Sequence, residues 1–565
     1  MADALTSQPK AEPPALPPWV AGVERRMDEL DPELTEDQIN IVRGYGQERH
    51  YTHGQWMWRA GERDAGLVLV LEGELEIINP RGGEDSIIIT HKRGHYGGEI
   101  VTMAGRGALV GGRAKGNCRV IHVDTGNLKQ MLALESELGE ILLVSFIVRR
   151  MRMLAESQGS VTLYGDPEEK QTAQLRTFLS RQGTPHSMME IGDLTENPTL
   201  KNEGMNVLPV LQVGDHFFAQ PSIRQAAETL GLAAQLDDDM LYDVAVIGGG
   251  PAGLAAAVYA GSEGLSVIVI ESIAAGGQAG TSSRIENYLG FPTGISGMGL
   301  AGRAYLQATK FGAEIAVARS VENITCEDNH AIHLDGGDVV RAKAVVIASG
   351  AEYREPPIKD LDRFTGGGVH YGASFIEAQL CRQKEVAIVG GGNSAGQAAI
   401  YLAGFAKQVN IVIRSADLTQ SMSIYLIDRI ERAPNITVMG ETEIIEAHGD
   451  SRLSHVTTRD RATGETAQMD VNHLFIFIGA VPASSFVPEH VARDANGFVL
   501  TGPALDEELL SKCRWPGDRA PFQYETSCPG IFAVGDVRSG SVKRVASAVG
   551  EGSVTIQAIH QVVNG

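Results

Sequence analysis

The sequence predicts a multidomain α/β protein: a β jelly-roll domain, then a small α/β domain, then two nested domains of parallel strands and helices. Three observations support this division. The 565 residues correspond to three or four domains of about 150 residues each. Short strands with alternating apolar residues fill the first part of the chain. Further along, a unit of strand, glycine-rich turn, helix and strand occurs twice.

Composition excludes several classes of function. A net charge of −22 argues against a nucleic-acid partner. Residues 1–18 are polar and Pro-rich without a basic n-region, which predicts a disordered leader rather than a secretory signal. The longest apolar run in a helical context, 141–148, is too short to span a bilayer, so no membrane contact is expected. Five scattered cysteines favour a reducing, cytoplasmic location.

The first domain, 19–155, contains the pattern GERDAGLVLVLEGELEI followed by the turn YGGEI. With these motifs it resembles the cyclic-nucleotide-binding domain of catabolite-activator-type proteins. The resemblance implies that Glu99 holds a ribose hydroxyl and that an Arg about ten residues later neutralises the cyclic phosphate. Ala108 stands at that position, and Arg106 lies two residues away. Because a buried phosphate needs a cationic partner, cyclic-nucleotide binding is not expected. A structural or dimerising module is the favoured interpretation.

The second domain, 160–235, reads strand, helix, strand, two further strands and a final helix with a Ser N-cap. This order resembles a glutaredoxin or thioredoxin-like fold, with Pro209 in the place of that fold's cis-proline. The redox centre of that fold is a C-x-x-C after the first strand, but the turn here reads GDPEEKQ and the domain has no cysteine. We therefore expect an adaptor without thiol chemistry of its own.

The third domain begins with YDVAVIGGGPAGLAAAVYAGSEGLSVIVIES, in which Gly248, Gly250 and Gly253 form G-x-G-x-x-G. The first glycine permits a tight turn, the second lets a pyrophosphate approach the backbone, and the third lets the helix pack on the strand. Glu271, at the end of the second strand, is suited to accept ribose hydroxyls. The unit predicts a dinucleotide-binding, Rossmann-like domain.

The same unit returns at EVAIVGGGNSAGQAAIYLAGFAKQVNIVIRS, where Gly390, Gly392 and Ala395 make the G-x-G-x-x-A variant. Its second strand ends in Arg414 instead of an acid. An acid would repel a 2′-phosphate, whereas a guanidinium would pair with it. The second site is therefore predicted to prefer NADPH to NADH.

Residues 241–565 resemble the low-molecular-weight thioredoxin reductase family along their whole length. The resemblance rests on seven motifs in the family's order: GGGPAG, GGQ, ENYLGFP, ASGAEYREP, GGGNSA, FIFIGAVP and FAVGDV. It implies an FAD-binding domain at 241–356 and 484–565, an inserted NAD(P)H-binding domain at 357–483, and a homodimer. FAD contacts are implied around five residues: Gly250, Glu271, Gln278, Asn287 and Asp536. The helix that begins near Lys543 and Arg544 is expected to direct its positive end at the flavin.

The family's inserted domain contains a C-x-x-C followed by an acid, but this chain reads YGASFIEAQLC there. Gly372 and Phe375 occupy the two cysteine positions and Ile376 the acid position. No catalytic residue is therefore assigned. Cys381, on the same helix, is interpreted as a core residue.

No metal site is predicted either. Among the fifteen histidines, His91 and His95 are four residues apart, but their strand-and-turn context is not expected to place them on one face.

The sequence thus indicates an FAD-dependent oxidoreductase that takes electrons from NADPH and passes them to an unidentified acceptor without the family's dithiol. Two alternatives remain open. One is a genuine disulfide reductase that uses a relocated cysteine, Cys381 or Cys528. The other is a non-enzymatic flavin-based redox sensor. Turnover of NADPH with added acceptors separates the enzymes from the sensor.

Overall fold

The structure is a computed structural model that describes residues 31–564 with short gaps. The gaps are 63–64, 82–83, 99–107, 109, 156–160, 195–196, 215, 234–235, 237–238, 283, 327–328, 366, 374, 451, 514 and 516–518. The predicted leader, 1–18, lies outside the described residues, as do Glu99 and Arg106.

The N-terminal domain is an antiparallel sheet of six strands with helices packed against one face. The predicted strand, turn and strand are confirmed by β2 and the long β3. Along β3, Leu67, Leu69 and Leu71 face the helices, whereas Val68 and Val70 face Trp58 on the other side, as a period of two requires. The elements are β1 Gln47–Tyr51, β2 Trp56–Trp58, β3 Leu67–Arg81, β4 Glu84–His91, β5 Tyr96–Gly98, β6 Gly111–Val123, α1 Glu36–Tyr45, α2 Thr125–Leu134 and α3 Ser136–Ala155.

The expectation that His91 and His95 point apart is wrong. The turn between β4 and β5 stacks their rings with centroids 6.4 Å apart. Asp31 approaches both: its carboxylate lies 3.0 Å from His91 Nδ1 and 3.8 Å from His95 Nε2. The expected turn is present, but its geometry brings both imidazoles toward Asp31, which the spacing of the two residues does not indicate.

The second domain contains the six predicted elements in the predicted order. Its sheet has the order β10-β9-β7-β8, in which β7 pairs parallel with β8 and antiparallel with β9. The Leu208–Pro209 peptide bond is cis. The elements are β7 Val161–Gly165, α4 Lys170–Arg181, β8 His186–Glu190, α5 Pro198–Asn202, β9 Val210–Val213, β10 His216–Ala219 and α6 Ile223–Thr229.

The third domain is a seven-stranded sheet whose strands come from two separated parts of the chain. Its order is β13-β12-β11-β16-β15-β14, and β27, from the C-terminal part, pairs parallel with β16. The last helix, α13, packs on α7. The elements are β11 Leu241–Ile247, α7 Pro251–Ser262, β12 Val267–Glu271, α8 Gly297–Lys310, β13 Glu314–Val317, β14 Val321–Thr325, β15 His330–Leu334, β16 Val339–Ile347, α12 Glu507–Lys512, β27 Ile531–Ala533 and α13 Val545–Val563.

The inserted domain interrupts the third one and repeats its central unit. A parallel sheet of order β18-β25-β19-β20-β21 is flanked by an antiparallel one, β22-β23-β24, and β17 pairs with β26 where the chain enters and leaves. The elements are β17 Ala351–Tyr353, β18 Val369–His370, α9 Phe375–Leu380, β19 Glu385–Val389, α10 Asn393–Ala403, β20 Gln408–Val412, α11 Ile424–Glu431, β21 Ile436–Met439, β22 Thr442–Gly449, β23 Leu453–Asp460, β24 Thr466–Asp470, β25 His473–Ile476 and β26 Ala480–Pro482.

The second domain contacts both nucleotide folds. On one side Arg181, at the end of α4, donates to the carbonyl of Gly277 at 2.9 Å. On the other side, Arg452 of the inserted domain pairs with Asp166 at 2.6 Å, and Lys384 pairs with Glu168 at 2.9 Å. Both acids lie in the turn after β7.

None of the helices in the described part of the chain combines the length and the apolar character needed to cross a bilayer.

Candidate active site

The first glycine turn has the close backbone approaches that its sequence predicted. Gly248 has φ +105°, and a Cβ there would lie 2.4 Å from the Ala348 carbonyl oxygen. A Cβ on Gly253 would lie 1.9 Å from the Gly248 carbonyl oxygen, so no side chain fits at this point of α7. The turn is therefore compressed between β11, β16 and the first helical residues.

Gly250 is the N-cap residue of α7 and, having no side chain, leaves the N-terminus of this helix open. No side chain among the described residues caps this helix, and Pro251 follows as its first residue. The nearest described atom to a Cβ on Gly250 would be Gly277 Cα, at 3.9 Å. Free N–H groups at a helix N-terminus, beside a residue without a side chain, suit a phosphate. The geometry of the turn fits a dinucleotide pyrophosphate.

Glu271, at the end of β12, is buried and serves the backbone around it. One carboxylate oxygen accepts from Gly249 N at 2.8 Å. The other accepts from Ile273 N at 2.9 Å and Ala274 N at 3.1 Å. The acid therefore holds the glycine turn and the following loop in register. The remaining lone pairs of the Glu271 carboxylate can still accept a hydrogen bond from a ribose hydroxyl.

Gln278 and Asn287 lie on the loops that follow Glu271. The Gln278 amide donates to the Ala351 carbonyl oxygen, where the chain crosses toward the inserted domain. Asn287 is exposed. Both positions are consistent with the implied site.

Asp536 lies in a single 3-10 turn directly after β27. Burial raises the pKa of the Asp536 carboxyl, and the nearby Lys543 charge acts in the opposite direction. Lys543 also donates to the Asp536 carbonyl oxygen at 2.7 Å. Helix α13 begins at Val545, and Arg544 is its N-cap residue. Asp536 and Lys543 therefore lie next to each other, close to the start of α13.

An ion pair that the sequence analysis missed fixes this turn. Glu551 on α13 accepts from Gly535 N at 2.7 Å and from the Arg538 guanidinium at 2.7 Å. Glu551 is nearly buried, and both its oxygens are engaged. The pair ties the turn that contains Asp536 to the helix that follows it. No local motif signals it, because sixteen residues separate Glu551 from Gly535.

The second glycine turn copies the first. Gly390 has φ +138°, and a Cβ there would lie 2.4 Å from the Phe477 carbonyl oxygen. Gly392 is the N-cap of α10, and a Cβ on it meets no described atom within 4 Å. Ala395 is fully buried against the inserted domain's core. This turn also fits a pyrophosphate at a helix N-terminus.

Arg414 follows β20 and is 61% exposed. Its Nε lies 3.9 Å from a Glu443 carboxylate oxygen, to which Arg459 donates at 3.0 Å. Arg461 donates to the Arg414 carbonyl oxygen at 3.0 Å. Three guanidinium groups thus surround one carboxylate at the end of the strand. Arg459 and Arg461 were missed because they lie on β23 and just beyond it, on an added sheet with no sequence signature of its own.

The position of the missing dithiol faces the first nucleotide fold. A Cβ on Gly372 would lie 3.3 Å from Thr281 Oγ1, in the segment that follows Gln278. Helix α9 begins at Phe375. The family's first cysteine position therefore lies beside the expected flavin site in this chain, but it has no side chain there.

The relocated-cysteine alternatives differ in their surroundings. Cys381 is fully buried in the inserted domain's core, and burial raises the pKa of its thiol to about 12. That environment opposes the reactive thiolate. Cys528 lies beside Cys326, and the hydrogen bond between the two thiols lowers the pKa of Cys326 to about 6 while it raises that of Cys528. Cys326 was not singled out from the sequence.

In the N-terminal domain, a cavity lies where the resemblance implied a nucleotide. Ala108 is buried in its wall, and its backbone is fixed by bonds to Gly61 and Glu62. The cavity's lining is mostly apolar: Trp58, Ala65, Ile77, Ile88, Ile89, His91, Gly97, Gly98, Ala108, Val110, Arg149, Arg152 and Met153. Arg149 in this wall pairs with Asp31 at 3.0 Å.

Comparisons with known proteins match two separate parts of the chain. A family model described as pyridine nucleotide-disulphide oxidoreductase matches residues 242–552, and one described as cyclic nucleotide-binding domain matches 48–135. Neither model covers residues 160–235.

Among curated relatives, thioredoxin reductase of Treponema pallidum is 34% identical over 317 residues, which are 56% of this chain and 95% of that one. Thioredoxin reductase of Bacillus subtilis is 32% identical over 58% of this chain and 96% of its own. Among solved structures, Lactococcus lactis thioredoxin reductase in its FR conformation aligns with a TM-score of 0.51 at 29% identity, over 57% of this chain and 99% of that chain.

Proposed function

Because the chain belongs to the pyridine nucleotide-disulphide oxidoreductase family and is thioredoxin reductase-like, we propose that it oxidises NADPH through FAD without the family's dithiol. The observation that carries this proposal is Gly372, which places no side chain against Thr281 at the first cysteine position. Bound FAD would accept a hydride equivalent from the nicotinamide and release two electrons. The acceptor would then have to meet the flavin directly.

The third domain would hold FAD, at 241–356 and 484–565. The open N-terminus of α7, with Gly248, Gly250 and Gly253, would bind the pyrophosphate. Glu271 would bind the adenosine ribose while it fixes the turn. Gln278, Asn287 and Asp536 would line the flavin end, and Lys543 and Arg544 bring positive charge to the start of α13.

The inserted domain, 357–483, would hold NADPH. Its turn of Gly390, Gly392 and Ala395 offers a second open helix N-terminus for the pyrophosphate. Arg414, with Arg459 and Arg461 close by, would pair with the 2′-phosphate. Three cations around one Glu443 carboxylate leave a local excess of positive charge, which favours NADPH over NADH.

The second domain would act as a thioredoxin-like adaptor. Support comes from the turn after β7, where the fold's C-x-x-C is replaced by Asp166 and Glu168. Both acids pair with cations of the inserted domain, while α4 donates to the FAD-side loop. The turn that transfers electrons in related folds would here bind the inserted domain, and α4 would bind the FAD side, so that the second domain holds the two nucleotide domains together.

The N-terminal domain would not be a cyclic-nucleotide sensor. Ala108 is buried at the expected phosphate-arginine position, and the described part of the wall is mostly apolar. Two guanidinium groups lie in that wall, and one of them, Arg149, is already paired with Asp31. We expect titration calorimetry of the full chain with cyclic AMP and cyclic GMP to give weak binding or none. Micromolar binding would show that Arg106 or another group supplies the missing charge.

The chain would also form a homodimer, as its resemblance to the low-molecular-weight thioredoxin reductases implies.

The test of the proposed function uses the full chain and a variant with all five cysteines changed to Ser or Ala. We expect the purified protein to be yellow and to oxidise NADPH with a small acceptor at the same rate in both forms. Reduction of a thioredoxin by the unmodified chain but not by the variant would contradict the proposal, because thiol exchange needs an attacking and a resolving thiol. Flavin reduction without turnover of any acceptor would instead favour the sensor.

A further inference from the structure

Three segments that are distant in the sequence meet at one edge of the third domain. Cys326 directly follows β14, Cys528 lies in the turn before β27, and His490 lies in the segment by which the chain returns from the inserted domain. Their two sulfur atoms and one imidazole nitrogen all lie within 4.8 Å of one another. The His490 Nε2 to Cys326 Sγ distance is 3.1 Å, although 164 residues separate them.

Backbone contacts fix two of these positions relative to each other. The buried Ser527 hydroxyl donates to the His490 carbonyl oxygen at 3.2 Å and accepts from Ala492 N at 2.9 Å. Thr526 closes the other side of the turn, since its hydroxyl accepts from Cys528 N at 3.2 Å. His490 and Cys528 are therefore held by the residues next to them, and their approach does not depend on flexible side chains alone.

Sheet pairing places the third ligand. Thr325, the last residue of β14, pairs with Ala331 of the antiparallel hairpin β14–β15, and His330 pairs in turn with Ala342 of β16. Strand β27 pairs with the same β16 at Val345. Both cysteines are thus placed by strands that pair with β16, since β15 pairs with its first half and β27 with its last residues. The cluster belongs to the fold rather than to a mobile surface.

We propose that Cys326, His490 and Cys528 form a zinc site that clips the returning segment to the β14–β15 hairpin. Two thiolates and an imidazole are the donor set that Zn²⁺ favours. Tetrahedral bonds of about 2.3 Å to sulfur and 2.0–2.1 Å to nitrogen separate such ligands by about 3.5–3.8 Å. The 3.1 Å between His490 Nε2 and Cys326 Sγ and the 4.8 Å that bounds all three ligand atoms bracket this range. The fourth position would be taken by water or another donor, because His490 is exposed.

The cluster lies away from the expected flavin site. Cys326 is level with Ala342 of β16. The glycine turn follows Ile247 of β11, which pairs with Ile347 of β16, five strand residues beyond Ala342. At about 3.3 Å per residue this is about 16 Å along the sheet. A thiol at that distance does not contact the flavin, so the cluster is better explained as a structural cation site than as the missing dithiol. The proposal stands whether or not the proposed oxidoreductase activity is correct.

The test measures metal in the reduced full chain. After chelation and reconstitution with Zn²⁺, we expect one zinc per chain by mass spectrometry, with sub-micromolar affinity, and an apparent melting temperature several degrees higher. Substitution by Co²⁺ should give thiolate-to-metal charge-transfer bands, which report sulfur ligands without any variant.

Three variants and one matched control locate the site. Cys326→Ser, Cys528→Ser and His490→Ala should each lose most of the bound zinc, while flavin content and circular dichroism report that the chain is folded. Cys118→Ser, a buried thiol of the N-terminal domain, should keep the full equivalent. Substoichiometric zinc in the reduced unmodified chain, or zinc retained by folded Cys326→Ser and Cys528→Ser, would overturn the proposal. So would a reversible Cys326–Cys528 disulfide in a chain whose reduced form binds no zinc, since the pair would then be a redox centre.

Discussion

The two glycine turns share a backbone and differ in the residues that surround it. In both, the first glycine has a positive φ and lies against a neighbouring strand's carbonyl, and the second glycine begins an uncapped helix. The third position is Gly253 in one and Ala395 in the other. After the second strand, a buried Glu271 accepts three backbone N–H groups in the first fold, whereas an exposed Arg414 lies among other guanidinium groups in the second.

This difference separates two tasks that one motif performs. Under the proposed function, the shared backbone would provide the phosphate site, which has the same chemistry in FAD and NADPH. The residue at or just beyond the end of the second strand would then decide between a ribose and a ribose phosphate. Substitutions in each turn therefore test the two tasks separately.

Gly253→Ala should abolish flavin binding and destabilise the third domain, because its Cβ would lie 1.9 Å from a backbone oxygen that cannot move aside. The matched change in the other turn, Ala395→Gly, removes a Cβ that the fold accommodates and should cost only about 1 kcal/mol. Flavin absorbance of the purified proteins and NADPH titration measure both. A yellow, stable Gly253→Ala protein would show that the two turns differ less than their geometry indicates.

Glu271→Ala should destabilise the turn by about 3 kcal/mol or more, since an unsatisfied buried N–H group costs about 1–3 kcal/mol and three groups lose their acceptor. FAD affinity should fall by at least about 100-fold, because FAD binds the ordered turn. Glu271→Gln keeps one acceptor oxygen and should lose less. Flavin release on dilution, followed by fluorescence, gives the affinities. If the alanine variant binds FAD normally, water replaces the carboxylate without cost.

Arg414→Ala should lower the second-order rate of flavin reduction by NADPH by about 10–100-fold, equivalent to the 1.5–3 kcal/mol of a hydrogen bond to a charged group. The rate with NADH should hardly change, because NADH has no 2′-phosphate. Arg432→Ala, at an exposed residue of the same domain, is the matched control for general loss of positive charge and should hardly change either rate. Equal rates for both nucleotides in the unmodified chain would remove the basis of the prediction.

The inserted domain should also lose stability in acid. Burial lowers the pKa of His473 to about 2 and lowers that of His370, whose Nε2 lies 3.0 Å from His473 Nδ1. Lys384 can only donate to His473 Nε2, so the neutral His473 keeps its proton on Nδ1 and donates it to His370.

The folded state therefore binds fewer protons than the unfolded state below pH 6.5, and stability falls as the pH decreases from there. At pH 5 the loss from His473 is about 2 kcal/mol. His473→Phe should reduce this pH dependence. Protease cleavage within 357–483, compared between variant and unmodified chain at pH 7 and pH 5, measures it. An unchanged ratio at the two values would contradict the assignment.

The sequence determined the elements whose signals are local. Each nucleotide unit spans about thirty residues, so strand, turn, helix and the positions of Gly248, Gly390, Glu271 and Arg414 followed from spacing alone. The absence of the dithiol was also evident from the sequence, because the family's two cysteine positions are only three residues apart. The six elements of the second domain were predicted in order for the same reason.

Only the tertiary structure decided which distant side chains meet. Arg459 and Arg461 reach Arg414 through an added sheet, Asp166 pairs with Arg452 across 286 residues, and Cys326 meets His490 across 164. His91 and His95 converge on Asp31 against expectation because a turn reverses the chain between them. Such contacts depend on strand order, on register and on the docking of one domain against another. Helical and strand periodicity record only which face of an element is buried, so they do not specify what lies opposite that face.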